Sequence, residues 1–98
     1  MMGIGLTTSD VESIRSVIAR NSHITRAIVF GSRAKGTYRH NSDIDIALDG
    51  AISPLEAESV AGELEELSIP YRFDVVALRH ITNEALREHI ERVGIEIC

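Results

Sequence analysis

Two hydrophobic periods alternate along this chain, and the switches between them divide it into helices and strands. Val11, Ile14, Val17 and Ile18 recur at three- and four-residue spacing. That places one apolar stripe on a helix from about Asp10 to Arg20. Ser9-Asp10-Val11-Glu12 matches a capping box at its start, with Ser9 and Glu12 satisfying the first free amides. The period then breaks. Ala27-Ile28-Val29-Phe30 is a continuous apolar run and reads as a buried strand over Arg26 to Phe30. Gly31 ends it, and a short helical turn follows over Ser32 to Lys35. From Asp43 to Asp49 the pattern alternates strictly, with Ile44, Ile46 and Leu48 on one face and Asp43, Asp45, Ala47 and Asp49 on the other. Asp49-Gly50 turns the chain.

The second half repeats the switch. Ser53, Pro54 and Glu56 mark a helix start, with Pro54 at the first helical position. Ala57, Val60, Ala61, Leu64 and Leu67 give that helix its apolar face, and Pro70 prevents continuation. Tyr71 to Leu78 reads as a third strand. Asn83 or Glu84 to Val93 reads as a third helix, with Leu86, Ile90 and Val93 facing the core and Gly94 stopping it. Ile95-Glu96-Ile97 adds a short terminal strand, and residues 1–6 form a loose N-terminal arm. The short connection after strand one suits an antiparallel neighbour, and the helix between strands two and three suits a parallel crossover. The fold class is therefore α+β: a small mixed sheet in the order 1-2-3 with packed helices, one domain over residues 1–98.

Composition narrows the function classes. At 98 residues and 44% apolar, the chain suits one core and is too apolar for disorder. No apolar run approaches the roughly 20 residues a bilayer span needs, so no membrane partner is expected. The first residues lack a basic region and a long apolar run, so no signal peptide is read there. Cys98 is the only cysteine, which excludes an internal disulfide and a Cys-x-x-Cys metal site. A cytoplasmic location follows. The net charge of −5 argues against stable nucleic-acid binding. One local exception stands out: Arg33, Lys35 and Arg39 fall within seven residues, beside His40. A small basic cluster on an acidic protein suits a nucleotide better than a duplex.

The candidate chemistry lies between Gly31 and Asp74. Asp43 and Asp45 sit on one strand face, about 6.5–7 Å apart. Paired carboxylates at that spacing approach divalent magnesium from the same side, leaving room for phosphate oxygens and water. Gly31 lets the backbone approach a phosphate closely, and Ser32 donates from hydroxyl and amide. Asp74 is a charge in the middle of an apolar strand. Pairing of strands two and three puts it on the face of Asp43 and Asp45, as a metal ligand or a general base. A salt bridge to Arg72 or Arg79 is its structural alternative. Asp49 shares the face but lies roughly 13 Å along the strand, too far for the same ion. Arg33 and Lys35 touch phosphate, shape the loop or are solvated charge. Ser42 caps or orients the Asp43 backbone. His23, His40, His80 and His89 read as surface residues, and no pair of them has zinc-ligand spacing.

Gly31-Ser32, ten residues, then Asp43-x-Asp45 resembles the signature of the DNA polymerase beta-like nucleotidyltransferase superfamily. The fuller string, Gly31-Ser32-Arg33-Ala34-Lys35-Gly36 through Ser42-Asp43-Ile44-Asp45-Ile46, is similar to its minimal nucleotidyltransferase branch. The likeness runs from the first helix to Gly94-Ile95-Glu96-Ile97. It implies the nucleotidyltransferase fold. It also implies transfer of a nucleoside monophosphate, from ATP by preference, to a hydroxyl, with release of pyrophosphate and two magnesium ions in support. Carried onto these residues, Gly31 and Ser32 hold the triphosphate, with Arg33, Lys35 and Ser42 beside the nucleotide. Asp43 and Asp45 hold both metals, and Asp74 is the third ligand. Members of this branch often accompany a small helical HEPN-type partner, frequently an RNase toxin. They act there as antitoxin, in some systems by adenylylating a tyrosine of that partner.

Three readings compete. The first is a protein adenylyltransferase acting on a HEPN-type toxin in a hetero-oligomer. The second is a binding module that neutralises the toxin by contact. The third is a transferase for a small molecule, against which the absence of a second domain counts. Self-association into a homo-dimer is the weaker alternative to the hetero-complex.

Overall fold

The computed structural model describes residues 4–98. Four helices and four strands follow one another: α1 (Thr8–Ala19), β1 (Ile24–Phe30), α2 (Gly31–Lys35), β2 (Ile44–Gly50), α3 (Pro54–Glu65), β3 (Phe73–Ala77), α4 (Glu84–Val93) and β4 (Ile95–Glu96). A 3-10 turn, Leu78–His80, joins β3 to the segment before α4. The sheet runs in the order β3-β2-β1-β4. Pairs β1–β2 and β1–β4 are antiparallel, and β2–β3 is parallel across the α3 crossover. The expected order 1-2-3 therefore holds, and the terminal strand extends it beyond β1.

One sheet face carries the main core. Ala27, Val29, Ile44, Ile46, Leu48, Phe73, Val75 and Ala77 are buried there with Val11, Ile14, Val17 and Ile18 of α1 and Ala57, Val60 and Leu64 of α3. Period two on the strands and the apolar stripes on the helices meet as the sequence requires. A smaller cluster covers part of the opposite face, where Ile28, Phe30 and Ala47 pack with Leu78 and Ile90.

Two local expectations are corrected. The cap of α1 is Thr7, not Ser9: Thr7 Oγ1 accepts from the Asp10 amide, and the Asp10 carboxylate accepts from the Thr7 amide. The earlier start places Leu6 just before the cap and Val11 at the fourth helical position. Both are fully buried, the arrangement of a hydrophobic staple. The loose arm is likewise not what residues 4–6 form, because Ile4 and Leu6 are core residues without solvent exposure. Residues 1–3 of that arm lie outside the described residues. The α3 cap is as read, with Ser53 and Glu56 closing a reciprocal box and Pro54 following.

Candidate active site

Sheet register builds the site. Asp45 of β2 is opposite Phe30 of β1 and opposite Asp74 of β3. Residues directly opposite share a face, so the face away from the main core reads in rows: Phe30–Asp45–Asp74, then Ile28–Ala47–Val76. Asp43 stands one residue before β2, two residues along the chain from Asp45. At the far end of the face Asp49 sits beside Arg26. The site therefore occupies the end of the sheet where β1 stops, β2 starts and β3 starts.

Three carboxylates crowd this corner. Burial, then the charges of Asp74 and Asp43, raise the Asp45 carboxyl from 3.8 to about 6, while Arg33 pulls it down in part. Asp74 is exposed and forms no ion pair among the described residues, because Arg79 goes to Asp49 instead. The salt-bridge alternative for Asp74 is thus absent there.

The turn after β1 faces the same corner. Gly31 has φ +72°, and a Cβ on it would come within 2.2 Å of Asp45 Oδ2. The positive φ favours glycine here, and any added Cβ would also have to displace the Asp45 carboxylate. The close approach explains how a strand end and a carboxylate on the next strand come to frame one space. Ser32 follows, half-buried, and Gly36 at φ +80° ends the short helix in the left-handed conformation.

Arg33 is turned inward. It is 1% exposed. Its Nε and Nη2 donate to the Ser42 carbonyl at 3.3 and 2.9 Å, and its Nη1 donates to the Ile4 carbonyl at 3.0 Å. The guanidinium carbon lies 5.2 Å from the Tyr38 ring centroid and 4.7 Å from that of Tyr71. Every face of the buried charge is met by a carbonyl or a ring. Ser42 Oγ accepts from the Arg39 amide at 2.8 Å, which closes the loop just before Asp43.

Comparison with known proteins now decides the family. A family model described as polymerase beta, nucleotidyltransferase, matches residues 12–98. The chain belongs to this family. Comparison with curated proteins gave no match. Among solved structures, one described as a minimal nucleotidyltransferase is 30% identical, with a TM-score of 0.71, covering 96% of this chain and 95% of that one. A crystal structure of a toxin–antitoxin pair, MntA with its toxin, gives 22% identity and a TM-score of 0.75 over 90% of this chain and 71% of the other. The MNT antitoxin bound to tri-AMPylated HEPN toxin of Shewanella oneidensis gives 19% identity and a TM-score of 0.73, over 95% and 72%. The last two likenesses are of fold.

For a nucleotidyltransferase the arrangement has a clear weak point and a clear strength. Among the described residues, no three acidic, imidazole or thiol groups converge as a preformed metal cage. The carboxylates instead stand along an open edge. That donor set fits magnesium, which keeps several waters and takes ligand phosphate oxygens along with one or two carboxylates. The crowding around Asp45 fits as well, since like charges without a cation are what a metal relieves. Two recesses, of about 250 and 190 Å³, lie elsewhere, one under Ile90 and Leu78 and one beside Ile18 and Ile24. Neither contains the carboxylates.

The structure sorts the predicted residues. Gly31, Asp45 and Asp74 are brought together, Asp43 joins them through its charge, and Ser32 adjoins Gly31 in the turn. Lys35 is exposed at the end of α2. Arg33 does not face a phosphate: it is consumed by the loop clamp, because a guanidinium this buried needs fixed acceptors. Ser42 likewise serves that loop through its carbonyl and hydroxyl. His89 is the residue that sequence reading missed. It accepts a hydrogen bond at Nε2 from the Gly31 amide at 3.1 Å, and its ring meets Phe30 edge-on at 6.2 Å. A sequence signal existed, in that His89 follows Leu86 by three residues and so shares the inner side of α4.

Proposed function

We propose that this nucleotidyltransferase moves AMP from magnesium-bound ATP to a hydroxyl of a helical, HEPN-type toxin and so acts as its antitoxin. The observation that carries the reading is the Asp45–Asp74 register, with Asp43 beside it, facing an open edge rather than a cation of the chain itself. Support comes from the solved relatives: one toxin–antitoxin structure holds AMP-PNP, and another holds a tri-AMPylated HEPN toxin.

In this reading Asp43, Asp45 and Asp74 hold magnesium, which when bound neutralises charge on the triphosphate. Ser32, with its hydroxyl and amide, and Lys35 grip the phosphates, and Gly31 lets them approach. The acceptor oxygen attacks the α-phosphorus, the bond to the bridging oxygen breaks, and pyrophosphate leaves. The hydroxyl proton passes to the exposed Asp74 carboxylate. Arg33 keeps Asp43 in place by fixing the Ser42 carbonyl. The open edge excludes no water by itself, and transfer needs an oriented acceptor in a dry site. A helical partner presenting a tyrosine supplies the missing wall.

The test is incubation with labelled ATP and magnesium, with and without a HEPN-type toxin that forms a complex with the chain. Label on that protein is the expected outcome. A stable complex without label would replace transfer by contact, and label only on a small molecule would remove the partner.

A further inference from the structure

Gly31 is held from two sides. Asp45 Oδ2 closes one, and His89 Nε2 closes the other by accepting the Gly31 amide. The second contact has a definite chemistry. A backbone N–H can only donate, so Nε2 must be unprotonated and the imidazole proton must sit on Nδ1. The imidazole reaches Gly31 from α4, across 58 residues of chain. Its direction is fixed by the Phe30 edge contact and by the packing of Leu86 and Ile90 on the same helix. Gly31 needs such a pin. At φ +72° a glycine has several backbone wells of similar energy, and Ser32 follows directly in the chain.

We propose that His89 is a positioning residue for nucleotide transfer: by accepting the Gly31 amide it selects the one turn geometry that aims Ser32 at the triphosphate. This rests on the function given above. It also removes the Gly31 amide from the phosphate donors, leaving the amide and hydroxyl of Ser32 for that task. The preset turn contributes to nucleotide binding, so its loss appears in KM rather than in kcat.

Two variants separate the hydrogen bond from the packing. His89→Phe keeps a ring against Phe30 and removes the acceptor. His89→Gln loses the ring and restores an acceptor at about the same reach. The expected result is a rise of about tenfold in KM for magnesium–ATP in His89→Phe, the scale of one lost hydrogen bond. In that variant kcat should change less than threefold, and His89→Gln should return KM to within about threefold of wild type. A second readout does not depend on turnover. Nitrogen-15 NMR of the histidine-labelled full chain should show His89 with its proton on Nδ1, and the Gly31 amide signal should move in His89→Phe but much less in His89→Gln. A proton on Nε2, or equal KM values in the two folded variants, overturns the inference. A chain without transfer to any acceptor, whose dissociation constant for magnesium–ATP rises in His89→Phe and is restored in His89→Gln, sustains the positioning of the nucleotide while refuting the transferase reading.

Discussion

Asp45 and Asp49 sit four residues apart on the same face of the same strand, and the fold treats them in opposite ways. Asp49 is met by two cations. Arg26 Nη2 lies 3.0 Å away and Arg79 Nε 3.2 Å. Burial pushes its carboxyl up, but the hydrogen bonds from Arg26, the Gly50 amide and Arg79 outweigh that and hold it below the usual range. Asp45 is met by no such cation: burial first, and then the charges of two more carboxylates, push it up to about 6. The guanidinium that acts on its charge, Arg33, is spent on carbonyls and tyrosine rings. One end of the strand is neutralised by the chain. The other keeps negative charge that the chain does not neutralise, and that is where an outside cation has something to do.

The sharpest way to break the comparison is to remove charge at each end. Asp45→Asn and Asp43→Asn each delete a negative charge and keep the shape. Each should lower transfer at least about a thousandfold, because stabilising the phosphoryl charge is the largest single contribution to such chemistry. Asp74→Asn should keep nucleotide binding and lose most of the rate. Near wild-type transfer by a folded Asp45→Asn protein would sink the assignment of this corner.

Arg33 gives the next effect. Replacing it with Met removes the donors from the Ser42 and Ile4 carbonyls and the cation from between two rings. The loss of stability should be about 2–4 kcal/mol, the range for removing one partner of a buried charged network. Chemical denaturation reads it directly. A loss under about 0.5 kcal/mol would return Arg33 to the surface cluster that its sequence neighbours suggest.

That difference also shows what the sequence could carry. The periods 3.6 and 2 located α1, β2, α3 and β3, and Asp-x-Asp on an alternating strand marked the candidate site, because each signal is local. Register brought Asp74 beside Asp45, and a parallel pairing across one helix made that foreseeable. Of the three readings open for Arg33, loop shaping holds, and the sequence did not single it out because a charge among charges looks solvated. Only Tyr38, Tyr71 and two distant carbonyls show that it is buried. His89 was missed because its partner lies 58 residues away and is a backbone amide. The N-terminal segment was taken for an arm because two apolar residues, Ile4 and Leu6, make no period.

Asp49→Asn tests the neutralised end. It removes a surface ion pair shared by two arginines whose side chains are 47% and 60% exposed. Stability should fall by only about 0.5–1 kcal/mol, since exposed pairs are weak. Transfer should stay within about twofold of wild type, as roughly 13 Å of strand separates this end from the site. A large loss of transfer would mean that the two ends are coupled and the comparison is false.

The smallest effect is the dependence of metal-free stability on pH, and the two ends should give it opposite signs. Asp45 has a folded pKa raised from 3.8 to about 6. The folded state therefore holds the proton more tightly than the unfolded state, and stability falls as pH rises from about 4 to about 6. Asp49 has a lowered folded pKa. Its contribution is present above the unfolded value of 3.8 and is lost as pH falls through the lower folded value. Urea titrations in chelator, at intervals from pH 3 to 8, measure both. Asp45→Asn should flatten the fall between pH 4 and 6 and leave the protein more stable at neutral pH by about 1 kcal/mol, after allowance for solvent screening. Asp49→Asn should flatten only the acid limb below pH 4. If Asp45→Asn leaves the fall between pH 4 and 6 unchanged, neither burial nor the neighbouring carboxylates hold the proton on Asp45 in the fold. The charge left at that corner would then be solvated, and no reason would remain for it to gather magnesium.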